Sequence, residues 1–225
     1  MSWPLACLSA LILLVFPCHG QDQQGCKVAM AALSLPEGSD GLLHWREANV
    51  ATTPLQLSTR YFSAPVKLEG NTIVFYKDPV PAGMAAPDVP KPLLSVKIPE
   101  GVKLGYLVLW ADTDEQNQPR WQGKLLSASD WKSSSTKVIN VCSETIGIAA
   151  GEKRIQLAPG KSMDFHAAEW KESFPVKFFR LQPELKTIFS STWRVTDGRR
   201  EICFIGNVNG AISLRSLLEL TAPPN

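Results

Sequence analysis

Residues 94–110 read Leu94-Ser95-Val96-Lys97-Ile98-Pro99-Glu100-Gly101-Val102-Lys103-Leu104-Gly105-Tyr106-Leu107-Val108-Leu109-Trp110. The first five alternate, so Leu94, Val96 and Ile98 share one face of a half-buried strand while Ser95 and Lys97 point the other way. Pro99-Glu100-Gly101 then ends the run, because proline presets φ and glycine accepts the tight exit. The run from Leu104 is apolar on both sides, with Leu104, Tyr106, Val108 and Trp110 opposing Leu107 and Leu109. A strand of that make-up belongs in the middle of a sheet covered on both faces.

The same grammar extends outward. Leu55, Leu57, Thr59 and Tyr61 fall on one face of a predicted strand, and further strands are expected at Thr72–Tyr76, Thr136–Cys142, Arg154–Leu157, Phe174–Arg180 and Ala211–Leu220. Leu35-Pro36-Glu37-Gly38 repeats the make-up of the turn at 98–101, and Ala158-Pro159-Gly160 resembles both. The recurrence hints at duplicated architecture but is too short to count as a repeat. Asp197-Gly198 predicts a two-residue hairpin that sets Arg194 opposite Glu201, Trp193 opposite Ile202 and Ser191 opposite Phe204. Asn209-Gly210 signals the next turn. Lys77 to Pro92, with prolines at 79, 81, 87, 90 and 92, can be neither helix nor central strand and reads as a long crossing loop. Helix is confined to single turns at Ser127–Trp131 and Ala167–Glu172. The polar run Ser127–Ser135 separates two strand-rich blocks. The expected fold is therefore all-β, with two consecutive antiparallel β-sandwich-like domains at 27–130 and 131–222, or alternatively one larger β-sandwich.

Met1 to Gly20 carries no charged side chain and one apolar run, Leu5 to Phe16, that ends in small residues. A membrane-spanning helix needs about 20 apolar residues and a signal core about 7–15, so this segment reads as a secretory signal cut after Gly20. Acylation at Cys18 fits poorly, since Phe16 and Pro17 stand where small residues are wanted. No later segment is long and apolar enough to span, so the mature chain is expected to be secreted or periplasmic without an integral membrane segment.

About 205 residues then remain, enough to bury a core without staples. The charge balance, 23 basic against 21 acidic side chains, gives no basis for a nucleic-acid partner. Three cysteines survive cleavage: Cys26, Cys142 and Cys203. Cys142 and Cys203 both lie in apolar runs of the C-terminal half. They are the favoured disulfide pair, with two unpaired core thiols as the alternative; Cys26 is then free or bridges two chains.

Lys137-Val138-Ile139-Asn140-Val141, Thr145-Ile146-Gly147-Ile148, the run from Ile155 to Ser162 through Ala158-Pro159-Gly160, and Ser190-Ser191-Thr192-Trp193-Arg194 together resemble a loosely defined set of secreted bacterial β-sandwich proteins of unknown function. The resemblance covers the last hundred residues or so. It implies a fold and a compartment, and no site.

Chemistry-bearing patterns are sparse. Cys142 with His166 would be a nucleophile and base only if the fold brought them together, and the chain has no G-x-S-x-G elbow. His44 and His166 are the only histidines beyond the leader, and no Cys or His pair has zinc spacing. Asp112-Thr113-Asp114-Glu115-Gln116-Asn117 is oxygen-rich but lacks the glycine and terminal glutamate of an EF-hand loop, so it reads as a solvated hairpin turn. Phosphate-binding glycine loops are absent. No metal and no cofactor is expected. Six tryptophans lie beyond the leader, and Trp131 and Trp170, set among polar neighbours, are the candidates for an exposed ligand platform. The expectation is a non-catalytic binding or interaction module of the periplasm or cell envelope, with a protein or glycan partner. The alternatives are a secreted hydrolase with an unrecognised site and a structural subunit of an envelope assembly.

Overall fold

The computed structural model describes residues 25–36, 38–47, 50–113, 119–208 and 211–218. The leader with Cys18 and its cut after Gly20, Glu37 of the first Pro-Glu-Gly turn, the oxygen-rich residues 114–117 and the Asn209-Gly210 turn lie outside them. About half of the described chain is strand and almost none is helix. The first eight are β1 (Lys27–Ala32), β2 (Leu42–Arg46), β3 (Thr53–Gln56), β4 (Val66–Lys67), β5 (Thr72–Tyr76), β6 (Leu94–Lys97), β7 (Leu104–Thr113) and β8 (Pro119–Ser127). After a 3₁₀ turn at Ala128–Asp130 come β9 (Ser135–Asn140), β10 (Ile146–Ala150), β11 (Lys153–Leu157), β12 (Ser162–His166), β13 (Phe174–Arg180), β14 (Lys186–Trp193), β15 (Arg200–Val208) and β16 (Ala211–Leu218).

The strands form four sheets. β4-β1-β7-β8 and β3-β2-β5-β6 come from the first eight; β12-β9-β15-β16 and β11-β10-β13-β14 come from the last eight. Adding eight to every label of the first pair of sheets generates the second pair. The match reaches the level of single hydrogen bonds. Lys27–Ala32 runs parallel to Leu104–Leu109, and Ser135–Asn140 runs parallel to Arg200–Ile205 in the same register. Lys27 N–H donates to Lys103 O and Leu68 N–H to Cys26 O in the first half; Ser135 N–H donates to Arg199 O and Ala167 N–H to Ser134 O in the second. The architecture is duplicated.

Three apolar layers hold the sheets together. Val28, Met30, Leu107 and Leu109 of one sheet meet Leu43, Trp45, Ile73 and Phe75 of the next. In the second half Val138, Cys203 and Ile205 meet Ile148, Val176 and Phe178. The third layer lies between the halves: Ala29, Ala31, Leu33, Tyr106 and Val108 from the first pack with Ile139, Ile202, Phe204 and Leu217 from the second, around Trp131. β1, β7, β9 and β15 are thus buried on both faces. Contact is close enough that a Cβ on Gly206 would stand 3.1 Å from Leu33 Cδ2 and 2.9 Å from Val141 Cγ2, so only glycine fits there.

The sheets are mostly antiparallel, but each half contains one parallel pair, made possible because β1 and β7, like β9 and β15, are separated by a whole sheet's worth of chain. The expected hairpin around Asp197-Gly198 does not form. β14 pairs with β13, and β15 pairs with β9 and β16 in a different sheet. Residues 194–199 instead cross between sheets through a turn in which Arg199 N–H donates to Thr196 O at 3.3 Å and Gly198 takes φ +74°. The reason is burial: Ile202, Cys203, Phe204 and Ile205 are each at most 2% exposed, so β15 needs cover on both faces, which an edge hairpin with β14 would not supply. The strand expected at Leu55–Tyr61 stops at Gln56, and Tyr61 is exposed. The proline-rich loop carries only a 3₁₀ turn at Ala86–Asp88, as its composition demands.

Trp131 is part of the layer between the halves. It is 0% exposed, meets Tyr106 edge-on at 5.2 Å, and its indole N–H has no hydrogen-bond partner. Trp131→Ala is expected to lower the unfolding free energy by about 3–5 kcal/mol. Trp131→Phe should cost much less, because it sacrifices volume but no hydrogen bond. Urea or guanidinium denaturation of the two variants checks the difference.

Candidate functional site

A concavity opens at one end of the second half. It is a groove of ≈ 970 Å³ lined by Lys132, Ser133, Ser134, His166, Ala167, Ala168, Lys171, Arg194, Val195, Thr196 and Asp197. Three segments build it: the entry to β9, the link from β12 to β13, and the link from β14 to β15. Hydrogen bonds clamp them together. Ser134 sits in the left-handed region at φ +57°, a conformation that costs a serine about 1–2 kcal/mol and is held from both sides here. Its Oγ accepts from Gly198 N–H at 2.8 Å and its carbonyl accepts from Ala167 N–H at 3.0 Å. Ser135 Oγ donates to Lys132 O at 2.6 Å, and the N–H groups of Glu169 and Trp170 both donate to His166 O at 3.0 Å. Buried Ala167 and Val195 form the floor; Lys132, Lys171, Arg194, Thr196 and Asp197 stand exposed around it, and His166 is half-buried.

The duplication explains why the groove exists on this half. The link from β4 to β5, residues 68–71, has four residues, whereas its counterpart from β12 to β13, residues 167–173, has seven. The longer link is the one that carries Ala168 and Lys171 over the floor. The links from β6 to β7 (98–103) and from β14 to β15 (194–199) have six residues each, and the inward-facing alternation matches Ile98, 3% exposed, with Val195, 5% exposed. Arg194 then falls on the outward parity, as exposed Lys97 does in the first half. The apolar plug is kept in both halves.

A second concavity, ≈ 600 Å³, lies on the first half beside His44, with Asp40, Lys77, Asp78, Leu93 and Trp121 around it. Its charges are mixed. Among the described residues no three His, Cys, Asp or Glu side chains gather closely enough to hold a metal ion. No described helix is long and apolar enough to cross a membrane.

The residues singled out from the sequence do not assemble into a site. Trp131 is fully buried between the halves and offers no platform, because the layer needs its volume more than the polar neighbours Ser129, Asp130 and Lys132 draw it outward. Trp170 is half-buried at the end of the second core, 4.0 Å from Phe174 and 5.4 Å from Phe165, with Lys153 Nζ over its ring at 5.0 Å. The two rings belong to different apolar layers and share no surface. Cys26, Cys142 and Cys203 are all free and buried. A Cys142–Cys203 bridge is excluded by register: Cys203 lies beside Val138, and Cys142 comes four residues later, about 13 Å along the strand, against the 4.4–6.8 Å usual between bridged Cα atoms. Buried Cys26 is not placed to bridge chains. His166 pairs with Ser135 at the start of β9 while Cys142 lies past its far end, so nucleophile and base are about 20 Å apart. Sequence reasoning misses the groove because its residues come from three separated links; of these only Arg194 and Asp197 carry a local signal, and it points to a hairpin.

No protein-family model and no curated protein matches the chain. Among solved structures it is similar to a Bacteroides uniformis protein assigned provisionally to cell adhesion, at 10% identity over 91% of this chain and 99% of that one, with a TM-score of 0.21. A likeness at that score carries no argument about function.

Cys142 gives the second half a built-in sensitivity to alkali. Burial pushes its thiol up to about 11 from the ordinary 9.0, the Glu144 carboxylate adds to the rise, and Arg180 offsets part of it. The folded chain keeps this proton when the unfolded chain has already released it. The stabilisation is therefore complete below pH 9 and is lost as pH rises toward 11. Urea unfolding measured across that window should show stability falling more steeply for the wild type than for Cys142→Ala.

Proposed function

We propose that this chain is an exported, non-catalytic binding module of the periplasm or cell envelope, made of two tandem β-sandwich units at 27–130 and 131–222. The groove around Ala167 and Val195 is its ligand site. The observation that carries the reading is the way that groove is made. Three links are locked to one another by backbone hydrogen bonds and stand on a scaffold whose central strands are buried on both faces. Such a site is pre-organised, so little ordering entropy opposes a ligand. Loops held by a rigid sandwich are a common way for β proteins to bind, and the longer 167–173 link adds a wall that the corresponding link of the first half lacks.

The reading is tested by screening residues 21–225 against a printed array of glycans and peptides alongside Ala168→Trp. Ala168 is exposed at the rim, so the substitution should change stability by less than about 0.5 kcal/mol while filling the groove. Ligands that bind the wild type and are lost in the variant are the expected result. Identical array profiles for the two proteins would overturn it. Fractionation of the native host, with recovery of a chain beginning at Gln21 outside the cytoplasm, checks the export.

A further inference from the structure

We infer that the groove takes a short segment of an acidic polysaccharide, its carboxylate or sulfate groups held by Lys132, Lys171 and Arg194; this rests on the binding reading above. Three cations line the groove against a single carboxylate, Asp197. None of the three has an ion-pair partner among the described residues, where the ion pairs are Lys137 with Asp164, Lys153 with Glu169, and Arg180 with Glu144. Unpaired cations converging on one concavity attract anions into it.

The fold itself does not require this charge. At the corresponding end of the first half the turn before β7 carries Glu100 and the link after β4 carries Glu69, while Glu47 folds its carboxylate onto the N–H groups of Glu69 and Gly70 at 2.8–3.0 Å. Val195 seals the second core where Ile98 seals the first, and Arg194 stands beside it on the outward parity. That end is mixed in charge, with exposed Lys27, Lys67 and Lys103 beside those carboxylates, and only the second half has the longer wall.

The lining distinguishes a sugar acid from an acidic peptide. Hydroxyls of Ser133, Ser134 and Thr196 lie among the cations, ready to exchange hydrogen bonds with the hydroxyls between the charged groups of a glycan. For the side chains of a peptide the groove offers only Ala167, Ala168 and Val195. Guanidinium and ammonium donors suit carboxylate and sulfate alike, so the shared chemistry is an oxyanion on a hydroxyl-rich chain.

Calorimetric titration of residues 21–225 with hexagalacturonate, a sulfated hexasaccharide, maltohexaose and a glutamate hexapeptide tests this. One or both of the acidic oligosaccharides should bind, with affinity falling as salt is raised and weakened about tenfold by Arg194→Ala. Lys171→Glu should weaken it further, and Lys103→Glu at the opposite end should leave it unchanged. Melting temperatures of the variants verify that they fold. Carboxylate against sulfate is decided by which acidic hexamer wins. Maltohexaose bound as tightly, or a complex insensitive to Arg194→Ala, would overturn the acidic class and leave the groove as a binding site. Binding of the peptide alone would overturn the glycan in favour of a protein partner. If no probe binds, the acidic glycan falls; the binding reading falls with it only if Ala168→Trp also leaves the array profile unchanged.

Discussion

The constraint on which the structure depends is that four strands have no face to spare. β1 and β7, and their counterparts β9 and β15, each pair in parallel at the middle of a sheet and are covered above and below. Residues of one parity, such as Val28, Met30, Leu107 and Leu109, point into the core of their own half. Those of the other parity, Ala29, Ala31, Tyr106 and Val108, point at the other half. Fully burying an aliphatic or aromatic side chain contributes about 1.5–3 kcal/mol, and moving these strands by one residue would exchange the two sets, setting the small side chains of one layer against partners shaped for the large ones of the other. A polar side chain on these strands needs a partner at hand, as Lys137 has in Asp164 and Asn140 in the carbonyls of Glu144 and Leu157.

The middle layer shows how a duplicated fold becomes one body. The side chains that the two halves bring to it are complementary rather than alike: β1 brings Ala29 and Ala31, whereas β15 brings Ile202 and Phe204. Small against large lets the two sheets interdigitate. Gly206 gives Leu33 its room, and Trp131, delivered by the segment joining the halves, closes the end with Tyr106 and Arg200 against its ring. Lys124 Nζ donates to Gly160 O across the same boundary at 2.8 Å, a polar pin beside the apolar layer.

Much of this is legible from residues alone, and the rest is not for identifiable reasons. Leu104–Trp110 announces a doubly covered strand because both of its parities are apolar. Thr72–Tyr76 and Phe174–Arg180 keep their expected bounds because alternation and turn residues agree there. The duplication is hinted at in the sequence by the wrong marks. Pro36 and Pro99 lie in links that are not equivalent, between β1 and β2 and between β6 and β7, so the shared Pro-Glu-Gly make-up reflects turn chemistry and not descent from one unit. What is repeated is register, which leaves no trace in any short motif. The Asp197-Gly198 hairpin fails because charge pairing of Arg194 with Glu201 is a local preference of tenths of a kcal/mol, outweighed by the burial that β15 requires. Trp131 resembles a surface ring in sequence for a similar reason. Its neighbours along the chain are polar, but its neighbours in space come from residues around 106 and 202, and no local window contains them.

The groove illustrates where such a fold leaves freedom to specialise. A position within β1 or β15 answers to two layers, but a link between sheets answers only to its end points. Between β12 and β13 three additional residues are accommodated without altering the pairing of either strand, and the Ser134 and Ala167 contact at its root is the same as that of Cys26 with Leu68 in the shorter copy. The floor answers to the core: Val195 seals the second half as Ile98 seals the first, and Arg194 beside it lies on the outward parity. Trp170, packed at 4.0 Å on Phe174 with Lys153 over its ring, caps the same core beside the longer link. With Val195 and Trp170 closing the apolar layer, the outward positions of the neighbouring links are left to carry charge.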